Sequence, residues 1–268
     1  MIPLKICVLN LSGNVGKSEL SVHMLGGFRP GARILSVETV NYSNMKCIDG
    51  LDVAELDASQ FRDIYRQMLL HDDLIIDVGS SNVVTFLSEL ARYKAAIGEF
   101  DLIVVPTVPA EKQQRDTIAT LDLLSRLGFD GGKVRVVFNQ RVGNNTLDNV
   151  YNHVIGYSMH PDGQGNACWL PVSVVDHNDV FDLIKPTRKT ISEAAGDKTD
   201  WKALRIAAKA GGDMAALDAA IDGHILHDLG KTAYANLQQA YADLLAPYVT
   251  PTQAMPIKGN RPAVEGLA

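Results

Sequence analysis

The chain contains little cysteine. Among its 268 residues the cysteines are Cys7, Cys47 and Cys168, an odd number without a C-x-x-C pair. Such a set fits a reducing compartment better than a disulfide framework and argues against a metal site built from thiolates. We therefore expect a protein of a reducing compartment.

Long apolar runs and an excess of positive charge are also missing. No apolar run reaches membrane-spanning length, and the N-terminal MIPLKICVLNL is too short for a signal peptide. The net charge of -6 excludes a wholly basic surface, so any DNA contact would come from a local patch or through a partner. We expect a cytoplasmic, soluble protein without membrane insertion.

Short apolar segments that are typical of fully buried strands recur along the first two thirds of the chain. They lie at residues 4–10, 32–38, 73–79, 101–107 and 133–139, with a sixth candidate at 167–175. Helical patterns separate them, at residues 17–27, 58–70, 83–97 and 112–127. This alternation predicts an α/β fold: a doubly wound, mostly parallel sheet flanked by helices.

Beyond Asn178 the sequence changes to alanine-rich helical segments. Glycines are expected to interrupt these helices at Gly196, Gly211, Gly212, Gly223 and Gly230. We predict an α/β nucleotide-binding domain over residues 1–185 and a C-terminal helical extension packed on it over 186–246. Residues 247–268, rich in proline, are expected to form a flexible tail.

A glycine-rich stretch, SGNVGKS, lies between the first predicted strand and the first predicted helix. It ends like a phosphate-binding loop, although the pattern G-x-x-x-x-G-K-[ST] needs glycine where Leu11 stands. In such a loop backbone amides bind phosphate oxygens, Lys17 reaches the β and γ phosphates, and Ser18 binds Mg²⁺. The nucleotide site would comprise Gly13, Asn14, Val15, Gly16, Lys17, Ser18 and Glu19. The alternative is a glycine turn that precedes an ordinary helix.

Two carboxylates follow predicted strands at the edge where parallel sheets bind ligands. Asp77 ends the apolar run LIID, where nucleotide hydrolases place a carboxylate that orients Mg²⁺. Its alternative role is to cap the following turn. Glu38 ends the second strand and could assist the metal or orient the attacking water, or be a solvent-facing charge. We predict catalytic roles for Lys17, Glu38 and Asp77, with Ser18 and Asp77 as metal ligands.

In order along residues 1 to about 185, the motifs are LSGNVGKS, ILSVETVN, DDLIIDVGSS, DLIVVPTVP and VVFNQ. Together they resemble the ParA/MinD group of P-loop ATPases, and the SGNVGK loop with VE-x-x-N resembles plasmid-stability proteins of the StbB type. The resemblance implies a P-loop fold that binds ATP and Mg²⁺. It also implies that Asn139, which closes the last motif, contacts the purine; the alternative is a turn asparagine.

The sequence departs from that group at two positions. The signature lysine that reaches the partner subunit's nucleotide should stand at Ser12, and the second acid of the D-x-D-P motif should stand at Val40. Hydrolysis by the group's usual means is therefore in doubt. Lys46, Lys112 or Arg115 could supply a compensating cation, and nothing in the sequence selects among them or distinguishes them from surface charges.

The resemblance implies a nucleotide-dependent homodimer that acts in plasmid partition, stability or positioning. Its ATP hydrolysis would be weak or stimulated by a partner, a plasmid-encoded DNA-binding protein. The basic cluster at residues 184–190 could add nonspecific DNA contacts or be an ordinary helix-start surface. His224 and His227 have one-turn spacing but no evident co-ligand, which favours a solvated helix face.

Two other functions fit the same motifs. One is a small-molecule phosphoryl-transfer or ATP-dependent ligase enzyme, which predicts a pocket beside the γ-phosphate lined by Lys112, Arg115 and Ser80. The other is a nucleotide-binding scaffold that does not hydrolyse ATP.

Overall fold

Seven parallel strands form one sheet in the protein. The computed structural model describes residues 2–38, 48, 51–143, 145–158 and 168–246. The strands are β1 (Lys5–Val8), β2 (Arg33–Val37), β3 (Val53–Leu56), β4 (Leu74–Val78), β5 (Leu102–Thr107), β6 (Val134–Arg141) and β7 (Cys168–Asp176). Their order is β3-β2-β4-β1-β5-β6-β7, and every neighbouring pair is parallel.

The α-helices connect the strands and continue beyond the last one. They are α1 (Lys17–Glu19), α2 (Phe61–Leu70), α3 (Val83–Arg92), α4 (Lys94–Gly98), α5 (Glu111–Arg126), α6 (Leu147–Val150), α7 (Asn152–Ser158), α8 (Val180–Leu183), α9 (Ile191–Ala195), α10 (Trp201–Gly211) and α11 (Met214–Leu245). The α1 helix continues directly as a π-helix over Leu20–Gly26. No helix of the described residues has the length and apolarity that crossing a bilayer requires.

Two hydrophobic cores lie on opposite faces of the sheet. Successive strand residues alternate between them, so Cys7 belongs to one core and Ile6 and Val8 to the other. The first core packs α2, α3, α5 and α7 against the sheet, and the second packs the π-helix, α8, α9 and α11. This arrangement confirms the predicted doubly wound α/β fold, with additional C-terminal helices.

All six predicted strands are present, and the structure adds β3. Its four residues, VAEL, are half-buried and form an edge strand, so they lack the apolar run that marks the central strands. The helical prediction over 83–97 is wrong at Tyr93, where the chain breaks between α3 and α4. Residues 247–268, predicted as a tail, lie outside the described residues.

The predicted interruptions at Gly223 and Gly230 are also wrong, because α11 runs through both. A Cβ on Gly223 would lie 2.4 Å from the Trp201 ring, and one on Gly230 would lie 3.3 Å from the Ala194 Cβ. These glycines therefore allow α10 and α9 to approach the long helix closely. Gly212, in contrast, ends α10 at a φ of 69°.

A buried arginine joins distant parts of the chain at the edge of the sheet where the strands begin. Arg29 is 1% exposed, and its Nη2 donates to the Asp73 carboxylate at 2.7 Å and to the Ile2 carbonyl at 2.7 Å. Its Nη1 donates to the Tyr241 hydroxyl at 3.1 Å. Arg29 thereby ties the N-terminal segment and the start of β4 to the end of α11.

Candidate functional site

The glycine-rich loop joins β1 to α1 at the carboxyl edge of the sheet. Two of its residues have left-handed backbone conformations, Asn14 at a φ of 57° and Gly16 at 81°. The N–H of Leu20 donates to the Gly16 carbonyl, so the N–H groups of the three residues between them have no acceptor within the helix. Unpaired amides at a helix start, next to a glycine turn, suit an anion.

The Asn139 side chain lies against this loop. Its Nδ2 donates to the Val15 carbonyl at 2.9 Å, and its Oδ1 accepts from the N–H of Gln140 at 2.9 Å. The backbone carbonyl of Asn139 accepts from the Tyr151 hydroxyl at 2.7 Å. A Cβ on Gly16 would lie 2.2 Å from Nδ2, which explains glycine there. A primary amide has two hydrogens and two lone pairs, so one of each is left for a ligand.

Asp77 lies beside the loop because β4 pairs with β1, with Val8 opposite Asp77. Its carboxylate accepts from the Ser18 hydroxyl at 2.8 Å and from the Ser21 hydroxyl at 3.3 Å. The residue is 3% exposed, and this burial raises the pKa of Asp77 to about 6, against the effects of Ser18, Lys17 and Ser21, which lower it. A buried carboxylate in this state would gain a cation favourably.

Lys17 is the buried cation of the site. Its Nζ donates to the Ser12 carbonyl at 2.8 Å, within the loop. Burial lowers the pKa of Lys17, and the charges of Asp77, Glu38 and Glu19 act in the opposite direction. The ammonium therefore lies among carboxylates without a direct ion pair to any of them in the described residues.

Glu38 follows β2 and meets the turn after β4. Its Oε1 accepts from the Ser81 hydroxyl at 3.1 Å and from Asn82 Nδ2 at 3.5 Å. A Cβ on Gly79 would lie 1.9 Å from Oε2, so the carboxylate lies directly over that glycine. The second and third motifs of the sequence thus meet in space.

These residues surround one large cavity of about 1090 Å³. Of the predicted nucleotide-site residues, the cavity is lined by Gly13, Asn14, Gly16, Lys17, Ser18, Glu19, Glu38, Asp77 and Asn139. The remaining one, Val15, is fully buried and contributes its carbonyl to Asn139. The pattern-based predictions therefore converge on one place, while the roles assigned to the residues stay predictions.

The cations suggested as substitutes for the signature lysine lie elsewhere. Lys112 pairs with Asp116 at 3.0 Å and Arg115 pairs with Glu111, all on α5, and neither cation lines the described cavity. Ser12 is 2% exposed, and its hydroxyl bonds to Asp116. Ser80 does line the cavity. Val40 and Lys46 lie outside the described residues.

Sequence reasoning missed the opposite wall of the cavity. This wall comes from the segment that runs from the end of β7 through α8 to Lys185, and its residues include Asp176, His177, Asn178, Phe181 and Lys185. From the basic cluster at 184–190, Lys185 and Lys189 line the cavity, and they pair with Asp182 at 2.7 Å and Asp197 at 3.8 Å. Apart from this basic cluster, no sequence pattern marked the segment, because only the fold brings it to the glycine-rich loop.

Three features beneath and around the loop were also missed. Asn10 Nδ2 donates to the Pro106 carbonyl and to the Thr117 hydroxyl, both at 2.8 Å, and its Oδ1 accepts from the N–H of Ser12 at 2.8 Å. His23, on the π-helix, lines the cavity, and burial lowers its pKa to about 4. Ser21, one helical turn after Ser18, was recognisable from its spacing.

His224 and His227, both on α11, do not line the described cavity. His224 Nε2 lies 3.2 Å from the Asp228 carboxylate, and His227 Nδ1 lies 3.0 Å from the Ala194 carbonyl. Within the described residues, no group of three or more His, Cys, Asp or Glu side chains could hold a metal. A Mg²⁺ ion needs fewer, because one or two protein ligands with phosphates and waters suffice. The adjacent Ser18 hydroxyl and Asp77 carboxylate are oxygen donors of the required kind.

Comparison with known proteins gives matches among solved structures alone. No protein-family model and no curated protein sequence matches this chain. McdA of Cyanothece, solved with ATP, is 13% identical, with 90% of this chain and 97% of that chain covered and a TM-score of 0.47. The cell division protein MinD of Aquifex aeolicus is 12% identical, with 82% and 94% covered and a TM-score of 0.46.

A plasmid partition protein of Borrelia burgdorferi bound to AMPPNP is similar to the same extent. It is 12% identical, with 90% of this chain and 99% of that chain covered and a TM-score of 0.46. Similarity at this level does not assign the chain to a family, and none of the three supports the narrower resemblance to StbB-type proteins. Inferences about function therefore depend on the residues of the site.

Proposed function

We propose that the chain binds ATP with Mg²⁺ in the 1090 Å³ cavity at the carboxyl edge of the sheet. The observation that carries this proposal is the 2.8 Å contact between Ser18 and the buried Asp77, next to Lys17. A glycine loop at a helix start, a buried ammonium and a hydroxyl–carboxylate pair are the parts that phosphate and Mg²⁺ need together. A glycine turn before an ordinary helix explains neither the buried ammonium nor the hydroxyl–carboxylate pair.

Each side chain has a distinct role in this proposal. Lys17 exchanges its hydrogen bond to the Ser12 carbonyl for contacts with the β and γ phosphates. There the ammonium pairs with negative phosphate oxygens instead of with a backbone carbonyl dipole. Ser18 and Asp77 hold Mg²⁺, which neutralises phosphate charge when bound. Glu38 orients the attacking water. Asn139 uses its remaining amide hydrogen and lone pair on the purine.

We further propose that ATP acts mainly as a conformational ligand. The chain would form a nucleotide-dependent homodimer in plasmid partition, stability or positioning, together with a plasmid-encoded DNA-binding partner and with nonspecific DNA contacts from residues 184–190. A glycine loop at the sheet edge that can bind the γ-phosphate is the feature that supports such a switch. Ser12 supplies no charge in trans, so hydrolysis would be weak or stimulated by the partner.

The two other functions receive less support. The small-molecule enzyme needs Lys112 and Arg115 beside the γ-phosphate, and both are engaged with acids on α5 away from the cavity. A non-hydrolysing scaffold would use the same nucleotide site as the proposed weak ATPase and would differ from it only in not hydrolysing ATP. Turnover therefore distinguishes it from a weak ATPase.

Binding of ATP to Lys17→Ala tests the site. Calorimetric titration with ATP and Mg²⁺ should show an at least tenfold loss of affinity relative to the unchanged chain. Lys94→Ala, which removes an exposed lysine of α4, is the matched control and should bind normally. Equal affinity in all three proteins would remove the site assignment.

Two further measurements separate the functions that share the site. Sedimentation velocity with ATP, with ADP and without nucleotide measures whether ATP causes dimerisation. Phosphate release, with and without DNA, measures hydrolysis. An ATP-bound protein that stays monomeric would contradict the switch while leaving the nucleotide site in place.

A further inference from the structure

A buried polar side chain lies directly beneath the glycine-rich loop. Asn10, two residues after the end of β1, is fully buried, and so are Thr117 and Thr120 of α5, which contact this part of the chain. A polar group in the core costs free energy unless it forms hydrogen bonds, and a satisfied cluster of such groups fixes a local geometry. The hydrogen bonds of Asn10 define the path by which the chain leaves the sheet.

The amide of Asn10 replaces a backbone hydrogen bond of the sheet. The N–H of Leu9 donates to the Val104 carbonyl at 3.1 Å, as in a regular parallel ladder. The next donor in that ladder would be the N–H of Leu11, and its acceptor would be the Pro106 carbonyl. Asn10 Nδ2 donates to this carbonyl instead, at 2.8 Å, so the backbone can leave the sheet at Leu11 and begin the loop.

Asn10 and Leu11 are bonded to one face of α5, and Ser12 is bonded to Asn10. Asn10 Nδ2 also donates to the Thr117 hydroxyl at 2.8 Å. The N–H of Leu11 donates to the Thr120 hydroxyl at 3.1 Å, and Asn10 Oδ1 accepts from the N–H of Ser12 at 2.8 Å. Because a backbone N–H can only donate, the bond to Ser12 fixes which end of the amide faces the loop. The first residues of the loop are therefore held against α5.

The position of Ser12 affects the rest of the loop. Lys17 Nζ donates to the Ser12 carbonyl at 2.8 Å, and the glycine-rich turn begins with the next residue, Gly13. In the proposed function the amides of this turn and Lys17 meet phosphate oxygens. A binding site needs its groups within about 0.5 Å of the productive geometry, so a shift of that size at Ser12 would weaken phosphate binding.

We propose that Asn10 is a positioning residue of the nucleotide site and acts together with Thr117 and Thr120 of α5. It holds the start of the glycine-rich loop in the conformation in which the loop amides and Lys17 receive the β and γ phosphates. Asn10 is buried and does not line the described cavity, so its effect on a nucleotide is indirect. This role rests on the proposed function, because it requires a phosphate-binding loop.

The alternative is a hydrogen-bond cluster that only stabilises the fold. Both roles predict a loss of stability when Asn10 is replaced, so stability alone does not distinguish them. They differ in nucleotide preference, because a misplaced loop loses contacts with the β and γ phosphates, and AMP has neither. Positioning therefore predicts that the ratio of the affinities for ATP and AMP falls. A protein that is destabilised but still folded keeps this ratio.

Calorimetric titration of the full-length protein with ATP and Mg²⁺, and separately with AMP, tests the role at a temperature at which every variant is folded. Asn10→Ala and Thr120→Val should each lower the ATP affinity about tenfold or more and leave the AMP affinity nearly unchanged. Valine has the shape of threonine without its hydroxyl, so Thr120→Val tests the proposal even if Asn10→Ala does not fold. Thr120→Ser, which keeps the hydroxyl, should bind ATP nearly as well as the unchanged chain.

Ser173→Ala is the matched control. Ser173 is buried on β7, and its hydroxyl donates to the Ala240 carbonyl of α11 at 2.8 Å, away from the glycine-rich loop. The variant loses one buried hydroxyl hydrogen bond, as Thr120→Val does. It should keep the ATP and AMP affinities of the unchanged chain even if it loses stability.

Four results would overturn the proposal. They are unchanged ATP affinity in both Asn10→Ala and Thr120→Val, equal losses of ATP and AMP affinity, a Thr120→Ser variant that binds ATP as weakly as Thr120→Val, and the same selective loss of ATP affinity in Ser173→Ala. Titration of Lys17→Ala alongside separates this proposal from the proposed function. If only Lys17→Ala loses ATP binding, the positioning role fails and the nucleotide site stands. If the unchanged chain does not bind ATP, or Lys17→Ala binds it equally well, both fail.

Discussion

Substituting Asp77 by asparagine is expected to stabilise the nucleotide-free protein at neutral pH. Burial raises the pKa of Asp77 from its ordinary value of 3.8 to about 6. One pH unit in pKa corresponds to about 1.4 kcal/mol, so keeping this carboxylate ionised costs the folded state about 3 kcal/mol. Asparagine has the same shape and no charge, and its carbonyl can still accept from Ser18.

The sign of the pH dependence follows from the raised pKa. Between about pH 4 and pH 6 the folded protein holds a proton on Asp77 that the unfolded chain has lost. The contribution of Asp77 to the free energy of unfolding therefore decreases as the pH rises through this window and is constant above it. Asp77→Asn should gain about 1–3 kcal/mol at about pH 7.5 and little near pH 4.

Urea unfolding of the unchanged chain and the variant, at about pH 4.5 and 7.5, measures this difference. Asp63→Asn on the exposed face of α2 is the control and should give no pH-dependent difference. A variant less stable than the unchanged chain at pH 7.5, or a gain of equal size at both pH values, would refute the reasoning. If the proposed function holds, Mg²⁺ should also increase the ATP affinity of the variant less than it increases that of the unchanged chain.

The remaining predictions concern Gly16, His23 and Arg29. Gly16→Ala should lose at least about 1 kcal/mol of stability, measured by urea unfolding, because alanine is strained at a φ of 81° and meets Asn139; Gly13→Ala, which has more room, is the control. His23→Gln should remove the part of the stability loss on acidification that comes from His23. Its pKa is about 4 in the folded protein and about 6.5 in the unfolded chain, so its contribution to stability is present above about pH 6.5 and is lost as the pH falls towards 4. A parallel decline of both proteins between these pH values would contradict it. Arg29→Met should lower the midpoint of thermal unfolding by an amount equivalent to about 3 kcal/mol, because it leaves Asp73 without its cation, whereas Arg33→Met, at a half-exposed pair, should cost under about 1 kcal/mol.

The fold could be predicted where the signal is local. Central parallel strands are buried on both faces, so runs such as LIIDV are recognisable without any partner. The edge strand β3 has one neighbour and half-buried residues, and its sequence does not distinguish it from a loop. Glycines in α11 were misinterpreted because the local cost of glycine in a helix is real, while its benefit comes from Trp201 and Ala194, which lie far away in the sequence.

The same distinction applies to the site. Gly16, Lys17, Ser18 and Asp77 belong to contiguous motifs, and strand pairing brings them together as the order of motifs predicts. The wall around Phe181 is defined only by how the segment after β7 folds back over the loop. No short pattern encodes that return path, so its residues could not be found from the sequence.

The hydrogen bonds of Arg29 with Asp73, Ile2 and Tyr241 affect how the chain folds during synthesis. Arg29 and Tyr241 are 212 positions apart, so the ribosome must release nearly the whole described chain before this contact can close. Until then the Arg29 guanidinium can form hydrogen bonds only with Asp73 and the Ile2 carbonyl, and the face of the sheet that α11 covers stays open to solvent. Contacts of such long range form late and slowly. A nascent chain stalled before α11 is therefore the species on which chaperones and proteases would act.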